Sequence, residues 1–166
     1  MSWWENMLKK LAVTFGGIGL IRGIPGTFAS LAATVIYFAV WRLAGERTLP
    51  IMGGLTLLFA GLTAFAYPWA RRIFATDDPR QFVLDEVAGQ WLTLLFMPIA
   101  ASGRPMAMMA VGFFLFRAFD VAKPFPIDRI ERIKGWAGVL FDDVAAAIYA
   151  GVGLRVLVWL TAVVTG

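Results

Sequence analysis

Apolar residues run through this chain in long uncharged blocks instead of alternating with polar ones. Gly23 to Trp41 and Thr48 to Ala70 contain no charge, and each is long enough to cross about 30 Å of hydrocarbon at about 1.5 Å per residue. Val87 to Gly103 and Pro105 to Phe116 are shorter blocks, separated by Ser102-Gly103-Arg104-Pro105, a turn composition that predicts a helical hairpin. Val144 to Gly166 forms a last block, broken only by Arg155, which either faces the bundle interior or snorkels to the boundary. The pattern therefore predicts an all-α integral membrane helical bundle of about five spans, with residues 1–166 in one membrane-embedded domain.

The first 22 residues follow another pattern. Trp4, Met7, Leu8, Leu11 and Phe15 share one helical face with Lys9 and Lys10 beside it, which predicts an N-terminal helix lying in the interface. A signal peptide is the rival, since Lys9-Lys10 precedes the apolar stretch Leu11 to Ile21; Arg22 cuts that stretch short, and a start with two tryptophans and Glu5 is unusual for one. Gly16-Gly17-Ile18-Gly19 has only a superficial likeness to a dinucleotide loop, for no βαβ unit surrounds it. It is expected to be a flexible entry to the first span.

Composition sharpens this picture. Of 166 residues 60% are hydrophobic and 16% charged, against about 25% charged in an ordinary soluble domain, and the mean hydropathy is +0.74. Too little polar surface remains to coat a water-soluble particle, so lipid is the expected solvent. The chain has no cysteine and no histidine, which removes thiol nucleophiles, imidazole metal sites and serine-histidine hydrolase chemistry. Chemistry must run on carboxylates, cations, hydroxyls or a metal. The net charge of +4 reads as topology, not as nucleic-acid binding. With five spans, eleven basic residues fall on the side holding Lys9, Arg71 and Lys123, and three (Arg42, Arg47 and Arg104) on the other. The richer side is expected in the cytoplasm.

The acids gather on that same side. Asp85, Glu86, Asp120, Asp142 and Asp143 sit at or just inside expected helix ends, so three separate stretches of chain bring carboxylates to one place. Charges at membrane depth cost about 2.5–3.5 kcal/mol each on insertion scales. A divalent cation such as Mg²⁺, which takes oxygen ligands, is the natural partner for them. Helix capping is the plainer reading. It suits Asp78, where Asp78-Pro79-Arg80-Gln81 has an N-cap acid, proline at the first helical position and glutamine in capping-box register. That start leaves Asp85 and Glu86 nearly two turns inside the helix, too deep to cap. Asp120 falls at a helix C-terminus, where the dipole disfavours an anion, while capping stays open for Asp142 and Asp143. Small residues accompany the acids: Gly89 lies one turn after Asp85, and Ala147 and Gly151 follow Asp143 at steps of four, a face that lets helices approach closely.

Cations and a helix start complete the set. Arg117 and Lys123 flank Asp120 by three residues on either side, and Pro124 and Pro126 stop that helix near Lys123. Both cations suit an anionic phosphate. Pro25-Gly26-Thr27 opens the first span, so that the N–H groups of Gly26 and Thr27 and the hydroxyls of Thr27 and Ser30 are candidates for a phosphate at a helix N-terminus. After Lys123, Ile127, Ile130 and Ile133 alternate with Asp128, Arg129, Glu131 and Arg132, which predicts a short helix in the headgroup region.

These residues together resemble the phosphatidylglycerophosphatase A family of bacterial membrane lipid phosphatases. The matching stretches are Pro25-Gly26-Thr27 with Ser30; Asp78 and Leu84-Asp85-Glu86-Val87 with Gly89 and Trp91; Phe116-Arg117 with Asp120, Lys123-Pro124 and Pro126-Ile127; and Gly138 followed by Asp142-Asp143-Val144. They cover roughly Phe15 to Gly151. Ile21-Arg22, Phe125 and the interrupted glycines of Gly135-Trp136-Ala137-Gly138 depart from the family pattern, but every carboxylate is in place. The resemblance implies Mg²⁺-dependent hydrolysis of phosphatidylglycerol phosphate to phosphatidylglycerol and phosphate at the cytoplasmic face of the inner membrane, with the acidic pairs and Asp120 as active site and metal ligands. A metal-bound water and a covalent aspartyl-phosphate are both open as routes. The rivals are a membrane phosphotransferase of the CDP-alcohol type, whose Asp-Gly-x-x-Ala-Arg signature is absent, an ion transporter, which would place ionisable groups near mid-bilayer, and a noncatalytic lipid-binding scaffold.

Overall fold

A helix of only 12 residues holds the centre of the molecule. In the computed structural model, which describes residues 3–97 and 104–165, seven α-helices follow in chain order: α1 Trp3–Val13, α2 Pro25–Ala44, α3 Thr48–Phe74, α4 Leu84–Leu95, α5 Pro105–Ala122, α6 Ile127–Ile130 and α7 Trp136–Thr165. Nine of the 12 residues of α4 are buried. It contacts α2, α3, α5 and α7, which therefore wrap a helix only about 18 Å long.

Contacts along α4 fix the direction of its neighbours. Gly26 at the start of α2 meets Glu86 at the start of α4, while Trp91 Nε1 donates to the Ala33 carbonyl at 2.8 Å and the Tyr37 hydroxyl to the Leu94 carbonyl at 3.2 Å, so α2 runs parallel to α4. Gly89 packs on Asp143 and Gly151 on Phe96, which makes α7 parallel as well. In α5, Arg117 lies near Glu86 and Gly112 near Leu94, so this helix is antiparallel. The C-terminal part of α3 is also antiparallel, its Ala66, Tyr67 and Ala70 packing with Phe82 and Leu84. One end of the bundle thus collects the N-termini of α2, α4 and α7 with the C-termini of α3 and α5. Arg42, Arg47 and Arg104 lie at the opposite end, as the charge count implied.

Three helical stretches are long and apolar enough to cross a membrane: Pro25–Phe74, Pro105–Ala122 and Trp136–Ala162. The first comprises α2 and α3, separated by a 3-10 turn at Gly45–Arg47 whose Gly45 takes a positive φ of 54°. Burial is low along all three, which exposes Leu57, Phe65, Phe114 and Trp159 on the outside as lipid requires. The expected third span is not among them. Its helix ends at Leu95 with Phe96 as C-cap, and the turn expected at Ser102-Gly103 lies outside the described residues. At the other boundaries the helices outrun the uncharged blocks: α5 continues through Asp120 to Ala122, and α7 begins eight residues ahead of Val144. Arg155 is exposed, so it points away from the bundle interior.

The N-terminal helix forms as expected, with Trp3, Trp4 and Leu8 exposed and Val13 buried against α3; Lys9 stands 5.6 Å over the Trp69 ring. Its exit is no loose tether. Thr14 Oγ1 accepts from Gly17 N at 3.1 Å and donates to Lys10 O at 2.7 Å, and Gly19 is buried so tightly against the Gln81 carbonyl that a Cβ would collide with it. The expected headgroup helix shrinks to the single turn of α6, with Ile127 buried and Ile133 exposed.

Close approach of α4, α5 and α7 depends on Gly89, where a Cβ would stand 2.8 Å from the Phe116 ring and 3.2 Å from the Asp143 carbonyl oxygen. Gly89→Ala should therefore lose about 1–3 kcal/mol of stability, read as a lowered denaturation midpoint of the detergent-solubilised protein. Gly61→Ala, where nothing lies within 4 Å, is the control that should not fall. The absence of cysteine makes the bundle's polarity testable too: Glu46→Cys and Asp128→Cys should react with an impermeant maleimide from opposite sides of the membrane, and labelling from one side would refute the arrangement.

Candidate active site

All five expected acids line one cavity of about 980 Å³ at the end where the helix termini collect. Its wall also holds Arg117 and Lys123, the α2 start Ile24-Pro25-Gly26, Tyr67 and Arg71 of α3, Asp77, Asp78 and Arg80 of the α3–α4 connection, and Glu131 to Gly135 before α7. Thr27 and Ser30 do not line it. Ser30 is fully buried one turn further into α2, and its Oγ has no hydrogen-bond partner.

Two local expectations change. Asp78 does not cap α4: Phe82 N bonds to the Pro79 carbonyl at 2.8 Å, a turn intervenes, and the helix starts at Leu84 with Val83 as N-cap. Asp85 and Glu86 accordingly stand in the first turn, where the macrodipole favours a carboxylate, and not two turns inside. Asp142 and Asp143 move the opposite way. Because α7 begins at Trp136, they lie nearly two turns within it and cannot cap its start. Gly135, at φ 91°, and Gly138, packed against the Ile133 carbonyl, set that earlier start.

Three of the five acids, Glu86, Asp120 and Asp142, are held by cations at the C-terminal end of α5. Arg117 Nη1 is 2.7 Å from Asp120 Oδ2 and 3.6 Å from Glu86 Oε1, close enough for strong attraction, yet Nη1 and Nε make no hydrogen bond. Lys123, the C-cap of α5 in left-handed conformation at φ 42°, donates to Asp142 Oδ2 at 2.8 Å and pairs with Glu131 at 2.6 Å. Burial alone would lower its pKa, but the bonds to Asp142 and Glu131 outweigh that and hold the ammonium above the ordinary lysine range. Asp142 Oδ1 accepts from the Asp143 N–H at 3.0 Å. Asp85 and Glu86 stand ahead of the apolar run that begins at Val87. Burial first, then the Glu86 charge, raises the Asp85 carboxyl well above its usual range; burial pushes Glu86 up to about 8, with Arg117 opposing and Asp120 adding.

Three observations bear on ligands. Asp85 Oδ1 and Glu86 Oε2 are buried without a partner, and buried acceptors of this kind ask for an ion, a water or a donor. The donor set, oxygen only, suits a hard cation. Among the described residues, however, no three acids are arranged as a ready cage for one, and Asp120 and Asp142 are paired with Arg117 and Lys123 instead. Glu131 and Gln90 were not singled out from sequence. The first clamps Lys123, and the second is buried one turn after Glu86 with both amide atoms unpartnered. Gln90 is visible as the lone amide in the run Val87 to Met97; Glu131 reads as one charge among several on the expected headgroup helix.

An apolar helical bundle with a polar cavity that sets carboxylates beside phosphate-suited cations is the architecture of a membrane-embedded enzyme of charged lipid headgroups. The sequence profile of the family described as phosphatidylglycerophosphatase A matches residues 11–158. Two proteins named phosphatidylglycerophosphatase A are similar, one from Haemophilus influenzae, 34% identical over 87% of this chain and 85% of its own length, and one from Escherichia coli, 32% identical over 87% and 79%. A Bacteroides thetaiotaomicron protein named as a putative phosphatidylinositol-3-phosphatase is 33% identical over 93% of this chain and 96% of its own. No solved structure gives a significant match. The chain belongs to the phosphatidylglycerophosphatase A family and is a phosphoric monoester hydrolase.

Lys123 ties α5 to α7, so Lys123→Met should leave Asp142 buried and unpaired and cost about 1–3 kcal/mol. Adding Asp142→Asn should return most of that loss; denaturation midpoints of the two variants check it, and no recovery would show that the ion pair is not what holds these helices.

Proposed function

We propose that this protein hydrolyses phosphatidylglycerol phosphate to phosphatidylglycerol and inorganic phosphate, using a divalent cation, Mg²⁺, held by carboxylates drawn from Asp85, Glu86, Asp120, Asp142 and Asp143. The observation that carries the reading is the shared cavity: those five acids, Arg117 and Lys123 line one space at the boundary end of a lipid-facing bundle. The excess of basic residues at that end supports a site on the cytoplasmic face of the inner membrane.

The chain's own groups supply most of the chemistry. Arg117, with Nε and Nη1 free of hydrogen bonds, and Lys123 bind the phosphoryl oxygens and neutralise charge that grows as water attacks phosphorus. The α2 N-terminus at Gly26 adds backbone donors beside Glu86. A carboxylate with a free buried oxygen, Asp85 or Glu86, accepts the proton of the attacking water, and the bond from phosphorus to the glycerol oxygen breaks with that oxygen reprotonated. A bound Mg²⁺ supplies Lewis-acid polarisation of the phosphoryl group and a water of lowered pKa.

The relative named as a putative phosphatidylinositol-3-phosphatase points to a second substrate of the same chemical type, a lipid phosphodiester whose polyol head carries a further phosphomonoester. Phosphate release from a panel of phosphatidylglycerol phosphate, phosphatidylinositol 3-phosphate and phosphatidic acid separates these. The expected result is fastest release from phosphatidylglycerol phosphate, abolished by chelation and restored by Mg²⁺. Asp85→Asn should lower that rate at least about 100-fold with the denaturation midpoint retained. Full activity in chelator, or in Asp85→Asn, would overturn the assignment.

A further inference from the structure

Six cations line the cavity, and four of them are already engaged. Arg117 and Lys123 hold the acids, Arg71 pairs with Asp77 and lies 5.9 Å from the Tyr67 ring, and Arg132 pairs with Asp128 at 3.5 Å. Arg80 and Lys134 line the same space, are exposed, and make no ion pair or side-chain hydrogen bond with another described residue. They come from two separate connections, α3–α4 and α6–α7, outside the helices that carry the five acids. Exposed Ile24, Val121 and Ile133 share this wall, so the opening pairs two uncommitted positive charges with an apolar edge. An anion covalently joined to a lipid meets both needs at once.

We propose that Arg80 and Lys134 bind the phosphodiester that tethers the substrate's head to its lipid, and so select lipids carrying a phosphomonoester beyond such a diester over lipids whose only phosphate is the monoester. The proposal rests on the lipid-phosphatase reading above. If the reacting monoester lies between Arg117 and Lys123, beside the buried acids, the other phosphate of the same headgroup lies a short polyol link away, within the same cavity and towards its exposed lining, where Arg80 and Lys134 stand. A guanidinium offers two parallel donors to the two free oxygens of a diester, and an ammonium adds a compact charge. Basic residues on membrane-boundary loops also attract anionic lipid in general, but that attraction raises turnover of every anionic substrate alike. Only a dedicated contact changes the ratio between two of them.

The test compares kcat/KM for phosphatidylglycerol phosphate and phosphatidic acid of identical acyl chains, in neutral-detergent mixed micelles, with the full-length protein. The wild type should favour the first lipid. Arg80→Ala and Lys134→Ala should each reduce that preference about tenfold, and the double variant more, as expected for loss of a hydrogen bond to a charged group. Arg80→Lys and Lys134→Arg should keep most of it. A preference that stays constant while both rates fall would assign these residues to general lipid attraction and overturn the proposal, as would a wild type indifferent to the diester. A wild type that releases phosphate from neither lipid would instead bring down the underlying reading, so the two failures are distinguishable. Denaturation midpoints exclude misfolding as the cause of any loss.

Discussion

A carboxylate taken out of water needs a counter-charge, and the polar end of this bundle is organised by that need. Asp85, Asp142 and Asp143 are buried, and an ion in such surroundings costs several kcal/mol unless it is paired. The C-terminal end of α5 supplies the pairing for Asp142, and for Glu86 and Asp120 beside it, while Asp85 and Asp143 make no ion pair with another described residue. Arg117 offsets Asp120 one turn on, an acid that the helix C-terminus would otherwise disfavour. Lys123, stationed where that terminus favours a cation, reaches across to Asp142 on α7 and to Glu131 on the intervening connection. One helix end thereby stabilises charges belonging to two other elements.

Helix direction makes such economy possible. With α2 and α7 parallel to α4, and α3 and α5 antiparallel to it, every acid-bearing segment arrives at the same level. Glycine sets the spacing: Gly26 admits the Glu86 carboxylate, Gly89 admits the Phe116 ring, and Gly151 admits Phe96. A side chain at any of these would push apart the helices whose separation fixes the ion pairs. The short length of α4 is part of the same arrangement, since a buried helix flanked by longer ones opens a polar space at its end without breaking the apolar surface that faces lipid.

Much of this is legible in the sequence. Uncharged blocks located α2, α3, α5 and α7, the charge count set their alternation, and residue type with helix-end position assembled the acids. Helix boundaries were the weak point, for a physical reason. In lipid a charge is a sound marker of the span's edge, but a helix can continue past it once a partner is at hand. So α5 runs on through Arg117 and Asp120, and α7 starts well ahead of Asp142. Asp78-Pro79 carried a helix-start signal that the chain spends on a turn. The run from Val87 resembled a span because periodicity does not report that α4 is surrounded by protein on all sides. Pairings such as Arg117 with Glu86 and Lys123 with Asp142 join residues distant in sequence, and nothing local announces them.

The same contacts that stabilise the cavity also occupy its ligand-binding groups. Glu86 lies against the N-terminus of α2, where a phosphate would bind, and Lys123 is committed to two carboxylates. A phosphate entering this site must therefore displace protein carboxylates from cationic and dipolar positions, and the displaced acids then need a new counter-charge. On the proposed reading, a divalent cation bound beside the phosphate would meet that need, for the acids released by Arg117 and Lys123 would be its oxygen ligands. On the phosphatase reading, resting stability and catalysis draw on one set of charges. On that reading, the lack of three acids preset as a cage among the described residues and the buried Arg117 donors free of any hydrogen bond are two sides of one arrangement.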